Sequence, residues 1–88
     1  MKTIYKYPLE VTGDQFVLIP SGYKILTVQV QNEVPCIWAE VDKSSKPENV
    51  HVVIVGTGQE TREDDEMNYI GSFRLYSGSF VGHCFISK

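Results

Sequence analysis

The apolar residues of this chain fall into seven short runs, each as long as a β-strand, with turn residues between them. None of the runs has the three- and four-residue spacing of an amphipathic helix. An 88-residue chain has room for one core, so we expect a single all-β domain over 1–88, built as a compact antiparallel β-sandwich or a small barrel. The predicted strands are Thr3 to Leu9, Gln15 to Pro20, Tyr23 to Gln31, Val34 to Val41, Val50 to Val55, Asn68 to Tyr76 and Ser79 to Ser87.

Two short turns join neighbouring runs into predicted hairpins. Asn32-Glu33 separates the third and fourth runs, and Asn tolerates the left-handed backbone that a two-residue hairpin turn needs. Ser77-Gly78 separates the last two runs. Residues 42–49 and 57–67 form the longer polar connections, and we expect them to be exposed loops.

Alternation within the runs predicts which side chains enter the core. Val50 to Val55 is apolar almost throughout, which indicates burial on both faces. Cys36 and Cys84 lie far apart in the chain, without a CxxC motif, and are expected to be buried small apolar residues. Alternating positions in three other runs are predicted to face the core: Leu26, Val28 and Val30, then Ile37, Ala39 and Val41, then Tyr69, Gly71, Phe73 and Leu75.

The charge of the chain argues against a nucleic-acid partner. Eleven acids against eight Lys and Arg give a net charge of −3, whereas proteins that bind the phosphate backbone concentrate basic residues. Five of the acids lie between Glu60 and Glu66. Glu63, Asp64 and Asp65 at the centre of this segment predict a solvated loop, or a mimic of nucleic-acid phosphates that faces a basic protein.

Membrane, metal and catalytic functions are not indicated. No apolar run approaches the ~20 residues that cross a bilayer, and no signal-peptide core follows Met1, so we expect a cytoplasmic protein. His51, His83 and the cysteines lack the spacing of a metal site, so neither a metal nor a cofactor is predicted. His83 and Cys84 are neighbours in one run and face opposite ways, and no GxSxG motif occurs, so the chain is not predicted to be an enzyme.

The segment Gly56-Thr57-Gly58 is a candidate ligand-binding turn. It ends an apolar run, and glycines let backbone N–H groups approach an anion closely. Neither a Walker lysine nor a GxGxxG pattern accompanies it, so a plain strand-ending turn is the alternative interpretation. A phosphate site here requires a base and an aromatic ring from elsewhere in the chain.

Four side chains in other runs are candidates for that role. Trp38 either anchors the core or offers a surface on which a base stacks. Arg74, in mid-strand, either binds a phosphate or carboxylate of a ligand or forms a cross-strand ion pair with Glu40 or another acid. His83 shares a face with Val81 and suits a core or interface position as well as a ligand contact. The remaining candidates for ligand binding are therefore Trp38, Tyr69, Arg74 and His83.

Several segments carry a resemblance to a known family. They are Lys2 to Thr12, Ile25 to Asn32, Val34 to Ala39, Gly56 to Gly58 and Tyr69 to Phe73. Together they are similar to a family of small uncharacterised proteins of tailed phages and prophages, and they cover most of the chain. The sequence departs from that family at Gln59 to Arg62, where relatives have a His-Pro step, and at Gly82 and Cys84.

The resemblance implies a phage protein that acts in the host cytoplasm against bacterial defence. The expected function is to sequester a nucleotide second messenger of immunity, cyclic or of ADP-ribose type, in pockets at the interfaces of a homo-oligomer and without catalysis. The short chain favours an oligomer, because small domains bury little surface on their own. The alternatives are direct inhibition of a defence effector through the acidic loop, as anti-CRISPR proteins act, and an accessory role in the virion.

Overall fold

The computed structural model describes residues 1–11, 13–61 and 67–87, and within these ranges the chain forms seven β-strands. All strand pairings are antiparallel, which confirms the all-β class predicted from the sequence. A short 3-10 turn at Tyr76–Gly78 joins the last two strands. The strands are β1 (Lys2–Pro8), β2 (Gln15–Pro20), β3 (Lys24–Gln31), β4 (Val34–Asp42), β5 (Pro47–Gly56), β6 (Met67–Leu75) and β7 (Phe80–Ser87).

The strands form two sheets that pack face to face. One sheet has the order β1-β4-β3 and the other has the order β2-β5-β7-β6. At one side β3 approaches β6 so closely that a Cβ atom added at Gly71 would lie 3.2 Å from Cγ1 of Val28. The architecture is therefore a sandwich of a three-stranded and a four-stranded sheet whose layers meet along the edge of β3 and β6.

The core lies between the sheets and takes alternate residues of each strand. Ile37, Ala39 and Val41 of β4 are fully buried, as their alternation predicts. In β5 the residues from Val50 to Val55 are buried apart from His51, and Val53 and Val55 face away from the core cluster to which Val50, Val52 and Ile54 belong. Burial of β5 on both faces is thus confirmed for its valines and Ile54.

Two β-bulges change the faces that simple alternation predicts. The pairing of β3 with β4 slips between Ile25 and Thr27, so Leu26 is 44% exposed and Ile25 takes its place against the core. The prediction that Leu26 faces the core was therefore wrong. A second slip, between Tyr69 and Gly71 in β6, places Tyr69 on the outer surface instead of in the core. An extra residue in one strand reverses the side-chain alternation, which has a period of two.

The connections confirm one predicted turn and shorten one predicted loop. Asn32 and Glu33 have φ angles of 51° and 64°, as a type I′ hairpin turn requires at both central positions. Residues 42–49 were expected to be a loop, but β5 begins at Pro47. The remaining turn is tied down by Asp42, whose Oδ1 accepts hydrogen bonds from the hydroxyl and the N–H of Ser44 at 2.7 and 3.0 Å. These hydrogen bonds lower the pKa of Asp42.

Three other expectations concern burial, membranes and the acidic loop. Cys36 and Cys84 are both buried and carry free thiols, which confirms their assignment as small apolar residues. Within the described ranges no helix has the length and apolar character that a bilayer crossing demands. The acidic residues Glu63, Asp64 and Asp65 lie outside the described residues.

Candidate functional site

The Gly56-Thr57-Gly58 segment forms a tight turn at the end of β5. The N–H of Gln59 donates to the carbonyl oxygen of Gly56 at 3.0 Å, which closes a β-turn. Gly58 is its third residue and has a φ of 91°. A type II turn requires positive φ at this position, which glycine adopts without strain.

The backbone N–H groups of this turn already have acceptors within the chain. The N–H of Gly56 donates to Oε1 of Gln59 at 2.7 Å, and the N–H of Thr57 donates to the carbonyl oxygen of Val81 at 3.0 Å. With Gln59 bonded to Gly56, three amides of the turn are satisfied. These three amides therefore do not form the phosphate-binding site for which the glycines made this turn a candidate. The turn instead forms one side of a pocket.

The wall that faces this turn is built around His83 of β7. Nε2 of His83 lies 2.7 Å from Oγ1 of Thr57, and Nδ1 lies 2.9 Å from the hydroxyl oxygen of Tyr69. Thr57 also approaches the carbonyl oxygen of Val81 with its hydroxyl, at 3.4 Å. A neutral imidazole has one donor and one acceptor nitrogen, so one of the two hydroxyls donates to the ring and the other accepts.

Three strands and the turn bring these side chains together. β7 lies between β5 and β6, and its register places His83 opposite Val55 on β5 and Phe85 opposite Tyr69 on β6. The bulge in β6 turns Tyr69 outward, where its ring meets Phe85 edge-on with the ring centroids 5.2 Å apart. Aromatic pairs prefer this edge-to-face arrangement.

The result is an open pocket of about 340 Å³ on the outer face of the four-stranded sheet. Its walls are mostly apolar, with the polar string of Thr57, His83 and Tyr69 along one side. Small-molecule sites commonly combine apolar walls with a few placed polar groups. Five of the seven candidates from the sequence line this pocket, namely Gly56, Thr57, Gly58, Tyr69 and His83.

The two other candidates lie elsewhere. Trp38 is on the outer face of the three-stranded sheet, partly exposed, with the ammonium group of Lys6 6.0 Å from its ring centroid. The outer faces of two stacked sheets point in opposite directions, so Trp38 and the pocket are on opposite sides of the molecule. Arg74 lies on β6 opposite Val81, and it lines a separate depression next to β3. Neither side chain therefore contributes to the pocket within one chain.

The family comparison agrees with the resemblance seen in the sequence. A family model matches residues 1–88, and its description is a domain of unknown function, DUF7352. The chain belongs to the DUF7352 family. No curated protein and no solved structure matches the chain. Membership in an uncharacterised family is thus confirmed, whereas the phage origin stays a prediction.

A second polar group on the outer face of this DUF7352 domain was not found from the sequence. Nε2 of His51 lies 2.6 Å from Oδ1 of Asp14, and the ring of Phe16 stacks on the imidazole with the ring centroids 4.9 Å apart. Among the described residues, no three His, Cys, Asp or Glu side chains gather as a metal site would require. The contact with Asp14 holds the His51 ring in place, and the stacked His51 ring in turn positions Phe16.

Phe16 and Leu18 were also missed, although the sequence held a signal for them. β2 reads Phe16-Val17-Leu18-Ile19, which is apolar at every position and therefore predicts apolar side chains on both faces. Ile19 is fully buried, whereas Phe16 and Leu18 are 66% and 60% exposed on the outer face. The alternation expected of a strand with one wet face is absent from β2.

Proposed function

We propose that this chain is a binding protein for a small nucleotide, whose base lies in the pocket of Thr57, Tyr69 and His83, and that it performs no catalysis. In the phage setting implied by the sequence, the bound nucleotide is an immune second messenger of cyclic or ADP-ribose type, which the protein sequesters in the host cytoplasm. The observation that carries the proposal is the hydrogen-bonded string of Thr57, His83 and Tyr69 along an apolar, aromatic pocket.

The hydrogen bonds of the string favour recognition of a base edge. If the hydroxyl of Thr57 donates to Val81, it accepts from Nε2 of His83, and Nδ1 then accepts from the hydroxyl of Tyr69. In this arrangement the lone pairs of the Tyr69 oxygen are available to an N–H donor such as the amino group of a base. The apolar side of the pocket supplies the surface against which a flat ring packs.

Arg74 supports the position of the phosphates. It lies on the same sheet face as His83, diagonally across the β6 and β7 pair, because Ser72 is opposite His83 and Arg74 is opposite Val81. Diagonal neighbours in an antiparallel pair are about 7–8 Å apart. A nucleotide whose base fills the pocket therefore extends its phosphates toward the Arg74 guanidinium, which is suited to bidentate phosphate contacts.

The test is capture and release of a ligand by the purified chain. The protein is incubated with a panel of cyclic and ADP-ribose-type nucleotides, freed of unbound ligand and heat-denatured, and the released material is analysed by mass spectrometry. Tyr69→Ala is expected to weaken binding roughly 5- to 150-fold, the range found when one aromatic side chain that contacts a base is replaced by alanine. Tyr76→Ala is the matched control, because Tyr76 is as exposed as Tyr69 and does not line the pocket.

The possible outcomes of this binding test support or overturn the proposal as follows. Release of an intact nucleotide, lost in Tyr69→Ala and retained in Tyr76→Ala, supports the proposal. Release of nothing across the panel overturns it, and equal binding by both variants removes the ligand from this pocket. Arg74→Ala tests the phosphate contact separately, since retained affinity in that variant places the phosphates elsewhere.

One observation favours a second candidate function, hydrolysis of a small substrate. The 2.7 Å contact between Thr57 and His83 is the distance expected between a nucleophilic hydroxyl and its general base. This function needs the opposite proton arrangement, in which Thr57 donates to Nε2 and Nδ1–H donates to Tyr69. Release of a cleaved nucleotide, in amounts that grow with time and vanish in Thr57→Val, would establish it in place of simple binding.

A further inference from the structure

The two outer faces of the sandwich differ sharply in charge. On the three-stranded sheet, Lys2 lies opposite Asp42 and Lys24 lies opposite Glu40, as on an ordinary solvated surface. On the four-stranded sheet, Arg74 is the only charged strand residue of the outer face among those that the structure describes. Phe16 and Leu18 expose large apolar side chains side by side on β2, and Tyr69 does so on β6. Exposed apolar side chains grouped in this way mark an interaction site on a small soluble domain.

We infer that a second copy of this chain docks on the outer face of the four-stranded sheet, with Phe16 of each copy lying at the mouth of the other copy's pocket. The dimer itself is independent of the proposed function. The proposal that the dimer encloses the ligand does rest on that function, because there the Phe16 ring of the second copy covers the open side of the pocket that holds the nucleotide.

The charge distribution of the face suits a second copy as the occupant. A symmetric dimer places the same patch on both subunits, so any concentration of like charge in the patch would repel itself. The chain carries a net charge of −3, yet the charged groups described on this face have opposite signs: the Asp14 carboxylate, 2.6 Å from Nε2 of His51 and next to Phe16, and the Arg74 guanidinium on β6. The face is therefore self-compatible in a molecule that otherwise repels its copies.

The area of the face is sufficient for a stable dimer. The molecule is a slab with extents of 39 × 31 × 16 Å, and the sheets are stacked across its thin dimension. A standard interface takes about 800 Å² from each partner, which is roughly one seventh of the 5740 Å² surface of this chain. One broad side of the slab supplies that area.

Phe16 is positioned as a preformed anchor. Its ring is 66% exposed, yet it is stacked on His51, and His51 is held by Asp14. An exposed ring that is already fixed in orientation loses little conformational entropy on association. Aromatic side chains of this type dominate the binding energy of many interfaces.

Phe16 and the pocket occupy diagonally opposite parts of the face. Phe16 is on β2 in the row of His51, whereas the pocket begins four residues further along β5, at Val55, and extends across β7 to β6. A two-fold axis in the interface, along the other diagonal of the sheet, exchanges these two regions. Each copy then contributes one Phe16 and one pocket, with the strands of the two sheets crossed, as in orthogonal sheet packing.

The first test is the mass of the protein in solution, by light scattering coupled to size-exclusion chromatography. The wild-type chain is expected at twice its 10.0 kDa, and Phe16→Ser and Leu18→Asp are each expected to weaken the dimer by about 30-fold or more. Ile4→Asp is the matched control, because Ile4 is 57% exposed on the edge strand of the other sheet. It is expected to leave the dimer intact.

A cross-link locates the contact. Phe16 and Tyr69 lie on the first and fourth strands of one sheet, at least about 14 Å apart at the usual strand spacing, which is too far for a disulfide within one chain. The double variant Phe16→Cys/Tyr69→Cys is therefore expected to form a covalent dimer under a mild oxidant, because the disulfide traps the dimer even though loss of the Phe16 ring weakens the reversible association, whereas Ile4→Cys/Tyr69→Cys is expected to stay uncoupled.

Three results would overturn the inference: a wild-type chain that is monomeric at a concentration on the order of 100 μM, dimers that survive both Phe16→Ser and Leu18→Asp, or loss of the dimer only in Ile4→Asp. Circular dichroism shows whether each variant is folded. If the variants weaken the dimer as expected but the protein releases no nucleotide, this inference stands and only the proposed function is refuted.

Discussion

Replacing Gly82 with alanine is expected to destabilise the fold through one buried contact. Gly82 is directly opposite Phe73 in the β6 and β7 pair, and the ring of Phe73 covers it. A Cβ atom at this position would lie 2.4 Å from Cζ of Phe73 and 2.8 Å from both Cε atoms. Carbon atoms pack at about 3.5–4.0 Å, so the ring would have to move by about 1 Å or more.

The ring has little room for such a movement. Phe73 is buried in the core, and its centroid lies 6.3 Å from that of Phe80. Overpacking of a well-filled core costs about 1–3 kcal/mol. In a domain of this size each kcal/mol lowers the melting temperature by about 4–8 °C, so Gly82→Ala should melt roughly 5–20 °C below the wild type.

Urea unfolding followed by circular dichroism gives the free energies. Gly13→Ala is the matched control, because among the described residues beyond its chain neighbours no atom lies within 4 Å of the added Cβ, and it should stay within about 0.5 kcal/mol of the wild type. In a Phe73→Leu background, which lacks the Cζ atom, the cost of Gly82→Ala should shrink by more than about 0.5 kcal/mol. Wild-type stability of Gly82→Ala, or an unchanged cost after Phe73→Leu, would refute the steric argument.

Two further predictions concern a buried thiol and a strained turn. Burial raises the pKa of the Cys84 thiol from the ordinary value of 9.0 to about 11, so the folded state holds this proton more tightly than the unfolded state does. The stability that the protonated thiol contributes to the fold is fully present below pH 9 and should be lost as the pH rises through 11. The difference in unfolding free energy between wild type and Cys84→Ala should therefore fall by up to about 3 kcal/mol over that interval, and a constant difference would contradict the assignment. Glu33 has a φ of 64° in the β3 and β4 turn, so in urea titrations Glu33→Gly should have a free energy of unfolding about 0.5–1 kcal/mol above that of Glu33→Ala. Both variants lack the Glu33 carboxylate, which accepts a hydrogen bond from the Tyr76 N–H at 3.4 Å, so equal stability of the two would show that the turn is unstrained.

The strand pattern was accessible from the sequence because it depends on short-range preferences. Turn residues such as Asn32-Glu33 and Gly58 mark the chain reversals, and β-branched runs such as Val50 to Val55 mark the strands. The conformations that these residues favour are set by their own backbone and side-chain sterics. The strand boundaries consequently lie close to those observed, apart from the early start of β5 at Pro47.

The faces of two strands were not accessible from alternation alone. Leu26 and Tyr69 were both assigned to the core, and in each case a bulge moved the side chain outward. A glycine inside a strand is a known signal of a bulge, so Gly71 could have warned of the change at Tyr69. β3 has no comparable residue, and its bulge depends on how it meets β4.

The candidate site shows the same division. The sequence selected His83, Tyr69 and the Gly56-to-Gly58 turn by residue type, and the order β5-β7-β6 is what places them around one pocket. Residue type also selected Trp38, but the stacking of the two sheets puts it on the opposite surface. The contact of Phe16 with His51 escaped detection because it joins residues 35 positions apart through the register of β2 with β5.

The sequence by itself determined that this chain forms one small all-β domain, where its turns lie, and which residue types are available for binding. Only the tertiary structure decided which of them meet, which face Tyr69 and Leu26 occupy, and that most of the charged strand residues lie on one of the two outer surfaces. The physical reason is that turn and strand preferences act within a few neighbouring residues, whereas strand order, register and bulges are fixed by pairing between distant segments and by the fit of the two sheets.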